Sequence, residues 1–333
     1  MTMKFLKTTL WASLAAMALT ACGGDKPADS AAAASTESKT IAITAIVEHP
    51  ALDAARTGAL EQLAADGFKE GENLKVTFQS AQGNMATAGQ IAKQFVADKP
   101  DLIYAIATPS AQAVAAATTD IPVVFSAVTD PVEAKLVASM EKSGNNITGA
   151  SDLLPYEPQI DLIRELIPNV KNVGYVYSPG EVNSTIVLKN LKEKLAPLGI
   201  NVIESPAPKS SDITQAANAL VGKVDVIYTS TDNNVVNAYE ALYQVAKQAK
   251  IPLISGDTST VERGSVAALG VNYTDLGKEA GKIIGKVLKG EKPDAIPVYV
   301  SQNLDLYVSK KHAEEQGVTL PQAVLDRAAK VVE

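Results

Sequence analysis

Five stretches of this chain carry residue types from which a recognition site can be built. In Ser255-Gly256-Asp257-Thr258 a carboxylate stands beside a residue with no side chain, so an ammonium group can approach Asp257 closely. In Ala107-Thr108-Pro109-Ser110 two hydroxyls flank a proline, the residue that favours the first position of a helix. The N–H groups of that first turn are unpaired and carry the positive end of the helix dipole, which makes Thr108 and Ser110 a seat for a carboxylate or simply an ordinary helix cap. Thr231-Asp232-Asn233 offers Asp232 and Asn233 either as ligand contacts or as the cap of the helix that follows. Phe125-Ser126-Ala127-Val128-Thr129-Asp130 adds the Ser126 hydroxyl, with Asp130 better suited to capping. Glu48-His49-Pro50 holds one of only two histidines in the chain.

Histidine beside glutamate raises acid–base or metal chemistry. Neither has partners here. There is one cysteine and one other histidine, His312, which reads as a surface residue of a C-terminal helix over 310–315. No nucleophile elbow and no metal-spaced set accompanies His49, so it reads as a ligand contact or a loop-fixing residue and no metal or cofactor is expected. Gly264, Gly270, Gly277, Gly281 and Gly285 do not form a strand–GxGxxG–helix phosphate cradle; the four-residue spacing of the last three lets a helix pack closely. The net charge is −7, without the basic face a nucleic-acid partner requires. Tyr156 and Tyr177 are positioned to line an apolar or aromatic pocket, and core filling serves equally well for Tyr177.

These residues fall at the ends of regularly recurring elements. Residues 40–47 form a β-branched run and 51–65 carry apolar residues at helical spacing. The alternation continues with strands at 74–78, 102–106 and 123–125 and helices at 85–97, 110–118 and 132–142. After a short extended stretch at 147–151 it restarts. Helices are expected at 157–167, 183–195, 212–221, 235–248 and 276–288, and strands at 172–177, 201–203, 226–228, 252–254 and 266–271. The strands are continuous apolar runs, as in parallel sheets covered on both faces. Asp101-Leu-Ile-Tyr and Asp225-Val-Ile-Tyr each open a strand that leads to a polar helix start, then to an Ile-Pro strand, so one half looks like a copy of the other. The expected class is α/β, with two doubly wound parallel-sheet lobes joined by crossing segments and a cleft at the carboxyl ends of the strands.

The first forty residues are of another kind. Lys4 and Lys7 precede an apolar run of about 13 residues, too short to span a bilayer as a helix, which reads as a signal peptide over 1–21. Leu19-Thr20-Ala21-Cys22 resembles a bacterial lipobox, with the only cysteine at the site of acylation. A lipidated Cys22 would anchor the chain to a membrane through a flexible tether, 22–39. The expected lobes are then 40–148 and 149–272, with 273–333 returning across and shared between them.

Four segments, 47–58, 107–112, 125–131 and 151–155, resemble the substrate-binding lipoproteins of ABC importers, most closely the branch grouped with tryptophan- and tyrosine-binding proteins and related to branched-chain amino-acid receptors. The resemblance covers about residues 40–318. It implies a type I periplasmic-binding-protein fold with three crossings, an extracytoplasmic monomer that closes over a small solute, and an ABC permease as partner. A zwitterionic amino acid with an apolar or aromatic side chain fits polar strand ends with Asp257 opposite a helix amino terminus. A nucleoside or heterocycle receptor is the alternative, with an enzyme on the same fold a further one.

Overall fold

The computed structural model describes residues 38–333. The signal segment, Cys22 and nearly all of the tether lie outside the described residues. Among those described, no helix is long and apolar enough to cross a membrane.

The chain runs β1 (Lys39–Ala45), α1 (Pro50–Ala65), β2 (Leu74–Ser80), α2 (Met85–Asp98), β3 (Leu102–Ile106), α3 (Thr108–Ala115), β4 (Val123–Val128) and β5 (Ile147–Ser151). It then crosses to α4 (Tyr156–Leu166), β6 (Asn172–Tyr177), α5 (Val182–Leu195), β7 (Asn201–Pro206), α6 (Ile213–Asn218), β8 (Val226–Thr229), α7 (Asn233–Asn237), α8 (Tyr239–Ala249), β9 (Leu253–Ser255) and β10 (Ala267–Gly270). The remainder is α9 (Tyr273–Leu288), β11 (Tyr299–Val300), β12 (Asp305–Ser309), α10 (Lys310–Gln316), α11 (Gln322–Arg327) and β13 (Lys330–Val332).

Two sheets result, ordered β11-β5-β4-β3-β1-β2 and β13-β12-β10-β9-β8-β6-β7. Every pairing is parallel except β10 with β12. β3 and β4 are buried along their whole length, as continuous apolar runs require. Three segments cross between the sheets: 152–155, 271–272 and 301–304. Strand order reverses at β1/β3 in one sheet and at β6/β8 in the other, the switch points beside which open α/β sheets bind ligands. The two matching Asp-apolar-Ile-Tyr strands do the same local job. Asp101 Oδ2 accepts the Thr40 N–H (2.7 Å), and Asp225 Oδ2 accepts those of Lys171 and Asn172 (both 2.8 Å). Each aspartate thus pins the start of the central strand beside it.

α9 returns to the first lobe and packs along α1 through glycines. A Cβ on Gly277 would lie 2.1 Å from the Ala55 carbonyl oxygen, and one on Gly58 would lie 2.2 Å from that of Thr274. Backbone meets backbone here, and the four-residue spacing of Gly277 and Gly281 is what admits it.

Several expectations are corrected. Residues 132–142 are not a helix but a turn-rich loop. Asp130 caps its first turn through the N–H groups of Val132 and Glu133, and Lys135 at φ 59° then leaves the helical path, sending Leu136 and Val137 into the core. The helix expected at 235–248 begins at Asn233 and breaks at Ala238 (φ −110°, ψ 32°) into α7 and α8. The helix at 212–221 shortens to α6, preceded by a 3₁₀ turn, Ser210–Asp212. His312 is buried, not on the surface, with Nδ1 2.9 Å from the Val261 carbonyl oxygen and its ring against Tyr243.

Gly277→Val is expected to destabilise the protein by about 1–3 kcal/mol or more through overpacking. Gly89→Ala, in α2 with nothing near its Cβ, is expected to stabilise it by up to about 1 kcal/mol. Urea unfolding of both variants checks the pair.

Candidate functional site

Polar side chains gather where the strands of both lobes end. After β1, His49 stands at the amino end of α1 in extended backbone and makes no capping hydrogen bond. It is buried and its Nδ1 has no partner. Burial, helped by the Arg263 charge, pushes its pKa down to about 3 against the pull of a hydrogen bond with Asn233, so the imidazole is neutral.

After β3 the chain turns through Ala107 at φ 75°, ψ 152°, a region that glycine alone occupies easily. α3 follows with no side-chain cap, because alanine has nothing to cap with. Its first intrahelical bond joins the Ala111 N–H to the Ala107 carbonyl, leaving the N–H groups of Thr108 and Ser110 ahead of the ladder. The hydroxyls of Thr108 and Ser110 are fully buried and have no partner. β4 carries a bulge between Ser126 and Val128 with Ala127 at φ 55°, a second left-handed alanine at a neighbouring strand end. Ser126 is buried, but its hydroxyl is taken by Tyr104 (2.6 Å). Asp152, one residue beyond β5, accepts the Tyr273 hydroxyl on Oδ2 (2.7 Å), while its buried Oδ1 has no partner.

The second lobe faces these groups with acids and amides. Asp232 caps α7 through the Val235 N–H (3.0 Å) and accepts both the N–H and the hydroxyl of Ser178 (2.6 and 2.9 Å). Glu181 Oε2 accepts Asn183 Nδ2 (3.0 Å) and Asn233 Nδ2 (2.7 Å). Burial first, and Asp232 second, push Glu181 up to about 8. Asp232 is raised by burial as well, so the two carboxyl groups resist being ionised together. Asn183 donates through Nδ2 to Glu181 and to the Thr231 carbonyl, which fixes its amide and leaves Oδ1 buried without a donor. Asp257, 1 % exposed, caps the 3₁₀ turn Thr258–Arg263 through the Ser259 N–H (2.8 Å), and burial raises its pKa.

The lobes touch across the cleft. Thr129 and Thr231 share a hydrogen bond between their hydroxyls (3.1 Å), and His49 reaches Asn233. Of the residues singled out from sequence, the structure gathers His49, Thr108, Ser110, Asp232, Asn233 and Asp257 as buried groups at strand ends. Tyr156 lines a small cavity with Asp152, Leu154 and Tyr228. Glu48 is exposed and sits apart from the buried set. Tyr177, half-buried, stacks on Tyr175 with ring centroids 6.0 Å apart. Asp152, Ser178, Glu181, Asn183 and Tyr273 were missed. Asp152 follows the strand 147–151 directly, so the strand-end rule applied at His49 and Thr108 would have found it.

The sequence pattern of the ABC transporter substrate binding protein family matches residues 40–332. The chain belongs to this family. It is a substrate-binding protein of an ABC transporter, and such proteins bind small solutes outside the cytoplasm and deliver them to a permease. It is 42 % identical over 276 residues to the tyrosine-binding protein of Clostridioides difficile, covering 83 % of this chain and 80 % of that one. The ABC domain from Streptococcus pneumonia in complex with L-Trp is 35 % identical, with a TM-score of 0.86 over 89 % of this chain and 100 % of that one. The ligand-free, open structure of a substrate binding protein from Clostridium difficile is 40 % identical, yet its TM-score is 0.67 over 88 % of this chain and 99 % of that one. Identity and shape run in opposite directions in the last two, as they do when lobe closure rather than fold differs. The contacts between Thr129 and Thr231 and between His49 and Asn233 join the two lobes across the cleft.

Backbone strain of this kind costs about 1–3 kcal/mol. Ala107→Gly is therefore expected to raise the unfolding free energy by about 1 kcal/mol in urea titrations, even though a buried methyl group is lost.

Proposed function

We propose that this chain captures an aromatic amino acid as a zwitterion and releases it unchanged. One observation carries the reading. His49 Nδ1, Thr108 Oγ1, Ser110 Oγ, Asp152 Oδ1 and Asn183 Oδ1 are all buried without partners just beyond strand ends of the two lobes. Buried polar groups are normally paired, because each one left alone costs about 1–3 kcal/mol. The set contains hydroxyl donors at an uncapped helix start together with acceptors, Asp152 on the same lobe and Asn183 on the other, which is what a carboxylate and an ammonium on one molecule satisfy together. The carboxylate would sit on Thr108 and Ser110 at the start of α3, with Glu181 and Asp232 holding Asn183 and Asn233 in place opposite. The tyrosine-binding relative and the L-Trp complex favour an aromatic side chain. The neutral His49 would serve as a contact rather than as a base.

Acylation of Cys22, outside the described residues, would hold the protein on a membrane beside its permease as a monomer. Cys22→Ala is expected to move it from the membrane to the soluble fraction, read by fractionation of cells.

The binding test is calorimetry and thermal unfolding of the processed protein against L-tyrosine, L-tryptophan, other amino acids and nucleosides. Trp11, the only tryptophan, leaves with the signal, so indole fluorescence then reports bound L-tryptophan directly. Ligand at 100 times its Kd should add about 2.7 kcal/mol of stability. Thr108→Val together with Ser110→Ala should weaken binding of the amino acid by about tenfold or more. Stabilisation by a nucleoside alone would overturn the zwitterion reading, and chemical change of the ligand on prolonged incubation would overturn simple capture.

A further inference from the structure

We infer that Asp152, positioned by Tyr273, is the group that takes the ligand ammonium, in preference to Asp257. This rests on the zwitterion reading above and goes beyond it by assigning the charge.

Asp257 and Asp152 are equally buried, at 1 % and 2 % exposed, but their oxygens are differently engaged. Asp257 holds the Ser259 N–H as a cap and feels the positive charge of Arg263. Among the described residues Asp152 makes no salt bridge, and no cation is among the causes of its raised pKa. One oxygen accepts the Tyr273 hydroxyl at 2.7 Å and the other makes no hydrogen bond of normal geometry, although the Thr129 hydroxyl also favours the carboxylate, and the Asp257 charge acting on it is of the same sign. A buried carboxylate in that state gains more than any other group of the site from an ammonium. Tyr273 opens α9 immediately after the crossing at 271–272, and Asp152 opens the crossing at 152–155, so their hydrogen bond fixes the free oxygen on the first lobe where two crossings meet it.

The surrounding cavity has the right size and lining. Asp152 shares it with the hydroxyls of Thr129, Ser230 and Thr231, with Gln159, with two tyrosines and with the apolar Leu154 and Val187, and its free volume of about 20 Å³ suits one water-sized group. An ammonium fits there and an aromatic ring does not. Two tyrosine rings in the wall add the π surfaces that favour a cation.

Distance along the sheet agrees. β3, which leads to Thr108 and Ser110, and β5, which leads to Asp152, both neighbour β4 and so lie two strand spacings apart, about 10 Å. An amino acid's ammonium and carboxylate are about 3 Å apart, and a hydrogen bond of about 2.9 Å at each end brings the span to about 9 Å.

The test compares the full chain with its Asp152→Asn, Asp257→Asn and Tyr273→Phe variants by calorimetry. The probes are L-tyrosine with 3-(4-hydroxyphenyl)propionate and L-tryptophan with indole-3-propionate, each pair differing by the amino group. Wild type should prefer the amino acid of a pair. Asp152→Asn should lose about a hundredfold of that affinity and bring the two members of the pair level, whereas Asp257→Asn should keep the preference. Tyr273→Phe should weaken the amino acid about tenfold and leave the des-amino acid within twofold, a split that a general loss of structure would not produce. Without ligand, Asp152→Asn should melt no lower than wild type, since it removes an unpaired buried charge. Preference kept in Asp152→Asn, or abolished in Asp257→Asn, overturns the assignment alone; wild type that binds none of the amino acids overturns the zwitterion reading with it.

Discussion

Desolvation of polar strand ends is the constraint on which this molecule turns. In a parallel sheet every strand finishes at the same edge, and the chain must turn there into a helix whose first N–H groups lack partners. Two such edges face each other. When the lobes meet, as Thr129 and Thr231 do, water is removed from hydroxyls, amides and carboxylates that have few protein partners to replace it. A polar solute carrying both charges supplies those partners, so closure and binding are coupled through the same groups.

The electrostatics of the cleft follow from the same burial. Asp152, Glu181, Asp232 and Asp257 are all pushed towards their neutral forms. Arg263, clamped on Glu240 and on the Val236 carbonyl, offsets this in part at Asp257. Donors from backbone and hydroxyls work against this at Asp232 in the second lobe, while the Tyr273 and Thr129 hydroxyls do so at Asp152. The first lobe answers with helix ends rather than side-chain cations, and left-handed alanines at 107 and 127 show that its strand ends are held in costly shapes by the packing beneath them.

Much of this was legible from the residues. Continuous apolar strands foretold parallel sheets, the repeated Asp-apolar-Ile-Tyr motif foretold a second lobe, and the spaced glycines of α9 foretold its close contact with α1. What was missed is long-range. Nothing local in residues 132–142 forbids a helix; the left-handed turn at Lys135 appears because Leu136 and Val137 have a core to enter. His312 reads as exposed on its own short helix and is buried because the 3₁₀ turn ending at Arg263 lies over it. Asp152 was within reach of the strand-end rule, but the tyrosine that engages it lies 121 residues away.

The sequence by itself determined the kinds of groups available and the edge at which they would stand, since side-chain type and apolar periodicity are local properties and all parallel strands end alike. Only the tertiary structure decided which of those groups are left unpaired. Ser126 and Asp232 find donors among distant parts of the chain, Thr108, Ser110 and one oxygen of Asp152 do not, and that distinction arises only when both lobes and their three crossings are in place.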